Sequence, residues 1–258
     1  MAVSKELYLE ERRQEIVWQV NRRGRVSVTE LSRQLGVSEV TIRADLQALA
    51  ERNLIIRTHG GAIPAKGRYD LALTRRRQQQ VAEKSRIGQA GAAMVADGDA
   101  IFVDSSSTAL TIVPYLNNHR QLTIITNSLA VAQAVQDTPS LTVVMPGGTL
   151  QNDTASLIGI DGLDILQKFN IQKGFFGAHG LSLPEGLTDV SAEEAEVKRQ
   201  MVAMCRQNIV VLDATKWGRV GLASFAQTED IDTIITDVDA PAELLAQVSD
   251  LGIQVMVV

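Results

Sequence analysis

The stretch that decides the fold is VTELSRQLGVSEVTIRADLQALAERNLIIRTHGGA, residues 28–62. Its apolar spacing predicts two short helices joined by a tight turn, and the residues after them predict a small β-hairpin. Thr29 is expected to cap the first helix and Ser38 the second, because their hydroxyl oxygens can accept from the free N–H groups of a first helical turn. Gly36 ends the first helix, since glycine tolerates the left-handed backbone that a tight turn requires. This order of elements is typical of a winged helix-turn-helix.

The second of these helices is expected to bury one face and to expose its N-terminal end. The apolar face is formed by Val40, Leu46 and Leu49, with Ile42 at its border. The exposed end carries Glu39, Thr41, Arg43 and Ala44. In a helix-turn-helix the start of the second helix enters the major groove of DNA, so the stretch predicts a DNA-binding module.

The distribution of charge favours the same interpretation over an ordinary helical hairpin. Residues 1–90 contain 17 Lys and Arg against 10 Asp and Glu, a balance of +7. The other 168 residues contain 8 basic and 20 acidic residues, a balance of −12, so that the whole chain has a net charge of −5. Positive charge gathered on one domain of an acidic protein is the electrostatic pattern of a nucleic-acid-binding module.

Composition restricts the class of protein further. The 258 residues are 45% apolar and 21% charged, which is enough for a folded core and argues against disorder. No run of 18 apolar residues and no signal-peptide segment occurs, so we expect no membrane partner. The single cysteine, Cys205, permits no disulfide within the chain, as is typical of a reducing compartment, and we predict a cytoplasmic protein. Core packing is favoured over chemistry for this cysteine because apolar residues surround it.

The chain is expected to divide into a winged helix-turn-helix domain (residues 1–64), a linker (65–81) and a larger domain (82–258). The linker contains a run of three basic residues, for which a solvated segment and a phosphate contact both remain open. That run is Arg75, Arg76 and Arg77.

The larger domain alternates short apolar runs with helix-like stretches. The apolar runs are AIFVD (100–104), LTIIT (122–126), LTVVMP (141–146), GFFG (174–177), IVVLD (209–213), IDTIITD (231–237) and IQVMVV (253–258). The helix-like stretches lie near 82–96, 107–117, 128–137, 192–207 and 240–250. Continuous apolar runs are typical of strands buried on both faces, so the alternation predicts an α/β domain with a mainly parallel sheet.

Ligands of open α/β sheets bind beyond the carboxyl ends of the strands. Polar or glycine residues follow four of the predicted strands, at 105–108, 127–128, 147–149 and 213–216. Hydroxyl and N–H groups at the start of a helix can bind a phosphate. Each signal alone is ordinary turn chemistry, but the four together predict a small polar ligand that carries a phosphate.

Two motifs in the first domain closely resemble the DNA-binding signature of the DeoR family of bacterial transcription regulators. They are SEVTIRADL (38–46) and RTHGGA (57–62). Motifs that resemble the sensor domain of this family follow in the family's order, namely DGDAIFVDSSST (97–108), TNSLAVA (126–132), PGGT (146–149), LIG (157–159), AEVKRQM (195–201) and DATKWG (213–218). The resemblance implies a sensor similar to ribose-5-phosphate isomerase and the CoA-transferase superfamily, usually bound by a phosphorylated sugar. It also implies a repressor of a sugar or nucleoside catabolic operon that is released by its effector and forms a dimer or tetramer.

The resemblance implies which residues bind the effector, with the phosphate at the loop 105–108. The implied set is Asp104, Ser105, Ser106, Ser107, Thr108, Thr126, Asn127, Ser128, Gly147, Gly148, Gly159, Lys198, Asp213 and Lys216. Lys84 stands where the family often has a lysine and is a candidate for coupling the ligand to the linker. For Lys84 and Lys198 an ordinary surface charge remains the alternative.

Two departures from the family pattern limit what can be transferred. Ser106-Ser107-Thr108-Ala109 stands where the family usually has Gly-Ser-Thr-Thr, and Ala44 stands where it usually has a second Arg. The resemblance therefore predicts neither which sugar this protein binds nor which operator sequence it prefers.

The residues expected to contact DNA are Ser38, Glu39, Thr41, Arg43, Arg57 and His59. Arg43 can read a guanine by a bidentate contact or bind phosphate, and the wing residues would lie over the adjacent groove. The three histidines have no ligand-like spacing, so we expect no metal site, and no cofactor besides the effector.

The main alternative is an enzyme, a sugar-phosphate isomerase or a deaminase on the same fold. Its general base would come from Asp104, Glu194, Glu196 or Asp213. An isomerase has no use for a helix-turn-helix, however, and the strand ends supply binding groups more clearly than an acid–base pair. The sequence therefore predicts a DNA-binding regulator that is not an enzyme.

Overall fold

A computed structural model describes residues 9–23, 25–51, 54–64 and 73–258. The chain forms two compact units that divide between Ala72 and Leu73. The second unit begins with a short helix, Leu73–Arg77, which lies inside the predicted linker. Residues 65–72 of that linker lie outside the described part of the chain.

The first unit is a three-helix domain with a small sheet. Its elements are α1 (Leu9–Arg23), β1 (Val26–Ser27), α2 (Val28–Leu35), α3 (Glu39–Glu51), β2 (Ile55–Thr58) and β3 (Gly61–Pro64). The strands pair antiparallel in the order β1-β3-β2. Apolar side chains from all three helices and the sheet pack into one cluster, which includes Ile16, Leu31, Leu46 and Ile55. This is the winged helix-turn-helix that the sequence predicts.

The cap of α2 differs from the prediction. The hydroxyl of Ser27 accepts from the backbone N–H of Glu30, and the Glu30 carboxylate accepts from Ser27, so these two residues form a capping box. The cap predicted at Thr29 is wrong, because Thr29 lies inside the helix and its hydroxyl donates to Glu39 at 2.9 Å. A glutamate three residues after Ser27 selects the earlier cap.

The buried face of α3 is also rotated relative to the prediction. Ile42 is fully buried at the centre of this face with Leu46 and Leu49, whereas Val40 is 73% exposed. The buried positions 42, 45, 46 and 49 have the spacing of one helical face, and residue 40 lies on the opposite side. The prediction that Val40 is buried is therefore wrong. The turn before α3 is as predicted, with Gly36 at φ +68° and Ser38 accepting from Thr41 N at 3.1 Å.

The second unit is an α/β domain. Its α-helices are α4 (Leu73–Arg77), α5 (Val81–Ala92), α6 (Leu129–Val135), α7 (Ala192–Met204) and α8 (Ala242–Asp250). Its strands are β4 (Ala100–Val103), β5 (Leu122–Ile125), β6 (Leu141–Val144), β7 (Thr149–Gln151), β8 (Ser156–Ile158), β9 (Lys173–Phe176), β10 (Gly180–Ser182), β11 (Gly186–Asp189), β12 (Asn208–Val211), β13 (Ala223–Ala226), β14 (Thr233–Thr236) and β15 (Gln254–Val257). Four 3₁₀ helices are described, at Ala109–Tyr115, Leu163–Lys168, Ala214–Lys216 and Thr228–Asp230.

All seven predicted apolar runs contribute strands to one sheet of order β15-β14-β12-β9-β4-β5-β6. Every neighbouring pair in this sheet is parallel. Adjacent residues such as Phe175 and Phe176 pack into different apolar clusters, so both faces of the sheet are buried. The chain runs outward from β4 to one edge and then returns to β9 beside it. The boundary between β4 and β9 is therefore the topological switch point, where α/β sheets bind ligands.

Other parts of the domain differ from the sequence prediction. The helix expected near 107–117 is the 3₁₀ helix Ala109–Tyr115, and the helix expected to reach residue 207 ends at Met204. The β7–β8 hairpin and the antiparallel sheet β10-β11-β13 were not predicted. Cys205 packs against the core, as predicted, and burial raises the pKa of its thiol to about 12. None of the helices in the described residues is long and apolar enough to cross a membrane.

Candidate DNA interface and effector site

The two arginines predicted to contact DNA are held by acceptors on α3. Arg43 Nη2 lies 2.6 Å from Glu39 Oε2, one helical turn away, and Arg57 on β2 donates to Gln47 Oε1 at 2.6 Å. Both contacts are exposed, and an exposed ion pair such as Arg43–Glu39 contributes only about 0–1 kcal/mol to stability. A DNA phosphate or base can therefore replace either acceptor at little cost. The sequence analysis missed Gln47, although it lies four residues after Arg43 and so shares its face.

The hydroxyls of Ser38 and Thr41 are 2.9 Å apart at the start of α3. Ser38 accepts from the Thr41 N–H, so its main role in the free protein is to cap the helix. The predicted wing residue His59 is exposed in the turn between β2 and β3. A Cβ at Gly61 would lie 1.9 Å from the Val26 carbonyl oxygen, so the wing needs glycine there.

A buried carboxylate fixes the orientation of α3 relative to α1. Asp45 is 1% exposed and accepts from Arg12 Nε at 2.7 Å and from Arg13 Nε at 2.9 Å. A charge-assisted contact of this kind is directional. The exposed face of α3 is therefore held in one rotational setting.

In the second unit, Asp104 occupies the switch point of the sheet. It follows β4, is fully buried, and accepts from the N–H groups of Ser106 at 2.8 Å and Gly177 at 2.9 Å. A Cβ at Gly177 would lie 2.3 Å from the Ser106 hydroxyl. The loops after β4 and β9 are thus tied together closely.

Lys198 on α7 is a buried clamp and not a surface charge. Its ammonium donates to Gly177 O and Asp189 Oδ2, both at 2.8 Å, and lies 3.0 Å from Asp104 Oδ2. Burial alone would lower the pKa of Lys198, but the carboxylates of Asp104 and Asp189 outweigh it and raise this pKa above its usual value. The ammonium of Lys198 is thus hydrogen-bonded to two protein acceptors and ion-paired with the Asp104 carboxylate.

Lys84 is likewise buried, which excludes the surface-charge alternative. It is 3% exposed, and its ammonium donates to the Arg76 carbonyl at 2.7 Å and the Ser107 hydroxyl at 3.1 Å. Its third neighbour is Asp213 Oδ2, at 4.0 Å. Burial is the main reason that the pKa of Lys84 is lowered to about 8. Asp213 raises this pKa, while Lys216 and Arg76 lower it further.

Arg76 on α4 completes a cluster of cations, which we call the cation cluster: Arg76, Lys84 and Lys216. Two guanidinium nitrogens of Arg76, Nε and Nη2, are buried without a hydrogen-bond partner among the described residues. Burial lowers the pKa of Lys216, Asp213 opposes this, and Arg219 and Arg76 lower it further. Burial and then Lys216 lower the pKa of His179, with smaller effects of Arg219 and Arg76. Leaving a charged donor buried and unpaired is costly. The cluster therefore provides unpaired donors for an anion.

The turn after β5 offers one free acceptor. The Thr126 hydroxyl donates to Val103 O and accepts from Ser128 N, and the Ser128 hydroxyl caps α6. Asn127 is 2% exposed, and its side-chain carbonyl oxygen has no hydrogen-bond partner in the described part of the chain. Such an oxygen can accept from a sugar hydroxyl.

The three predicted glycines all have positive φ, at +89° for Gly147, +122° for Gly148 and +104° for Gly159. A Cβ at Gly148 would lie 2.4 Å from the Ile158 carbonyl oxygen, so this glycine is needed for the approach of β8. Gly159 lines an open pocket of about 410 Å³ whose charged residues are Glu193 and Glu196. Carboxylates repel a phosphate, so this pocket does not extend the cation cluster.

The four carboxylates considered as general bases are all engaged. Glu194 accepts from the Ser156 hydroxyl at 2.6 Å, and Glu196 is paired with Arg199. Asp213 accepts from Thr215 N at 3.1 Å, and Asp104 is bound as described above. These four carboxylates, all in the described part of the chain, thus already accept from or pair with other groups of the protein.

A winged helix-turn-helix followed by an α/β domain is the domain organisation of a DNA-binding transcription regulator. Residues 12–67 match the model of the DeoR-like helix-turn-helix domain, and residues 79–238 match that of the DeoR C terminal sensor domain. The chain belongs to the DeoR family of transcription regulators.

Two relatives match almost their whole length. The HTH-type transcriptional regulator GolR of Listeria innocua is 34% identical over 96% of this chain and 98% of its own. The glycerol-3-phosphate regulon repressor of Escherichia coli is 31% identical over 93% of this chain and 95% of its own. Among solved structures, ribose 5-phosphate isomerase A of Methanocaldococcus jannaschii is similar over 52% of this chain and 53% of its own, with 15% identity and a TM-score of 0.39.

Proposed function

We propose that this protein represses a sugar catabolism operon and that a phosphorylated sugar releases it from DNA by binding at the cation cluster. The observation that carries the proposal is the pair of buried Arg76 nitrogens, Nε and Nη2, that have no hydrogen-bond partner among the described residues and lie near Lys84 and Lys216. A phosphate with a charge near −2 supplies the missing acceptors. The similar repressor of Escherichia coli is named for the regulon of a phosphorylated polyol, which supports a ligand of this class.

The charges divide the site into a phosphate end and a hydroxyl end. The phosphate pairs with Arg76, Lys84 and Lys216 and accepts from the loop 105–108. The 3₁₀ helix after that loop has only seven residues, so the side-chain cations carry more of the binding than a helix dipole. Asn127 and Asp213 accept from sugar hydroxyls. Lys198 and Asp104 hold the loops in place and do not touch the ligand.

At the DNA end, two copies of the winged helix in a dimer or tetramer bind the two halves of an operator in the cytoplasm. The start of α3 enters the major groove and Arg57 lies over the backbone beside it. The effector lowers operator affinity because it binds the DNA-free state more tightly, which is the condition for any such shift. The protein needs no metal or other cofactor for this cycle.

The test is fluorescence anisotropy of the full-length protein on DNA from upstream of its own gene, with phosphorylated sugars added in turn. We expect salt-sensitive, sequence-specific binding that one phosphorylated sugar abolishes and its dephosphorylated form does not. Arg76→Ala should keep operator binding and lose the response to the sugar. Arg77→Ala is the matched control, because Arg77 is exposed on the same helix, and it should respond normally.

The same sugars distinguish the enzyme alternative. Turnover of an aldose phosphate without specific DNA binding would overturn the proposal in favour of an isomerase. Tight operator binding that no phosphorylated sugar disturbs would overturn the assignment of the effector and leave the DNA-binding function in place.

A further inference from the structure

The exposed face of α3 consists of two rows of side chains. Residues at i, i+3, i+4 and i+7 share a helical face, and here these positions are Val40, Arg43, Ala44 and Gln47, all exposed. Arg43 and Gln47 form a polar row, and Val40 and Ala44 form an apolar row beside it. The buried residue Asp45 fixes which way both rows face.

Val40 has no packing role in its own domain. It is 73% exposed in the first turn of α3, while Ile42 fills the core beneath this turn. A valine side chain is stiff and makes no hydrogen bond. Its side chain is therefore free to contact a molecule outside the domain.

Charge complementarity identifies the occupant of this face as DNA. Arg43 lies next to Val40 on the helix, and Arg57 projects from the wing, where it reaches Gln47 on the same helix. Both cations are exposed and can pair with phosphates or bases. The apolar group that the major groove presents is the C5-methyl of thymine.

We infer that Val40, together with Ala44, reads thymine by packing against its C5-methyl group, next to the base that Arg43 contacts. This inference rests on the proposed DNA-binding function. It assigns a specificity role to a residue that sequence periodicity placed in the core. It also gives a role to Ala44, whose short side chain leaves the methyl of Val40 free to approach the base.

The test replaces single operator thymines by deoxyuridine, which removes only the methyl group. We expect one or two positions in each half-site where the wild-type protein loses about fourfold in affinity, the value for one methyl group withdrawn from water. Val40→Ala should lose a similar factor on the thymine operator. On the deoxyuridine operator the same substitution should cause little further loss, because the partner methyl is already absent.

Val238→Ala is the matched control, since Val238 is 68% exposed in the other unit, and it should bind both operators like the wild type. Equal loss by Val40→Ala on thymine and deoxyuridine operators would overturn the inference and indicate a protein contact. Full affinity of the wild type for every deoxyuridine operator would overturn it as well. If no operator is bound specifically at all, the proposed function itself fails, which is a different result.

Discussion

Replacement of Lys198 by methionine should destabilise the second unit strongly. Methionine keeps the length and the apolar stem of the lysine and removes only the ammonium. The side chains involved are almost inaccessible, at 4% exposure for Lys198, 0% for Asp104 and 5% for Asp189. Removing one partner of a buried ion pair lowers the free energy of unfolding by about 3–5 kcal/mol, because the remaining charge stays buried without compensation. That is a large part of a typical stability of about 5–15 kcal/mol.

The loss should depend on pH in a defined direction. Burial alone would raise the pKa of Asp189, but Lys198 holds it below the usual 3.8, so its contribution is present above that pH and disappears in acid. The raised pKa of Lys198 contributes below the usual 10.5 and is lost in strong base. The contribution of Lys198 and its two carboxylates to the stability of the wild type is therefore constant between about pH 4 and pH 10. In Lys198→Met a buried carboxylate can take up a proton instead, so the deficit should shrink from pH 8 to pH 5.

Urea unfolding of the full-length protein measures this loss by fluorescence, because buried Trp217 belongs to the apolar cluster that contains Phe225, the ring beneath the Lys198 ammonium. Asp189→Asn added to Lys198→Met should recover part of the lost stability, since it removes one uncompensated charge. Lys168→Met, at an exposed lysine, is the control and should change stability by less than about 0.5 kcal/mol. If Lys198→Met keeps wild-type stability and loses only the effector, then Lys198 is a ligand and the clamp interpretation is wrong.

Three further predictions concern the effector and the DNA-binding unit. The affinity for a phosphorylated sugar should fall as pH rises through about 8, because Lys84 loses its proton there. Calorimetry in two buffers should detect proton uptake when the sugar binds. An affinity that is constant from pH 7 to pH 9 would contradict this prediction. Ser27→Ala should lower the free energy of unfolding by about 1 kcal/mol, more than Thr29→Ala, and the reverse order in urea unfolding would return the cap to Thr29. Gly61→Ala should abolish operator binding, because its Cβ would meet a carbonyl oxygen at 1.9 Å. Gly60→Ala has open space for its Cβ, and the φ of +88° should cost only about 1–2 kcal/mol of backbone strain, so this variant should keep more operator affinity than Gly61→Ala. An equal loss of operator affinity by the two variants in an anisotropy titration would refute the steric argument.

The large features of the fold are readable from the sequence because their signals are local and repeated. Each strand of the seven-stranded sheet is a continuous apolar run, since both of its faces are buried. The strands β10, β11 and β13 have the sequences GLS, GLTD and ASFA, in which glycine or polar residues interrupt the apolar ones, so they contain no continuous apolar run. Pairing with one another is what makes them strands.

The sequence did not reveal which face of α3 is buried, because that face contains an aspartate. Periodicity treats Asp45 as exposed, which shifts the apolar face toward Val40. The compensating charges, Arg12 and Arg13, lie more than thirty residues earlier on α1. Only the packed structure reveals that this carboxylate is paired and therefore can be buried.

The same limit applies to the effector site. The motifs place Asp104, Asp213 and Lys216 at strand ends, but they do not distinguish a ligand from a clamp. In the structure the Lys198 ammonium contacts Asp104 and Gly177, which follow β4 and β9 and are far apart in sequence. Arg76 stands among three consecutive arginines, and nothing local indicates which guanidinium is buried.

The distinction between clamp and ligand indicates where a signal can start. An effector shifts an equilibrium only through groups whose interactions differ between the two states. Lys198 and Asp104 already have partners within the protein. Arg76 has unpaired donors, its carbonyl accepts from Lys84, and it lies on the first helix after the division between the units. If the proposed function is correct, a phosphate that pairs with Arg76 and Lys84 changes the bonding of α4 and α5 together, in the segment that follows the DNA-binding unit along the chain.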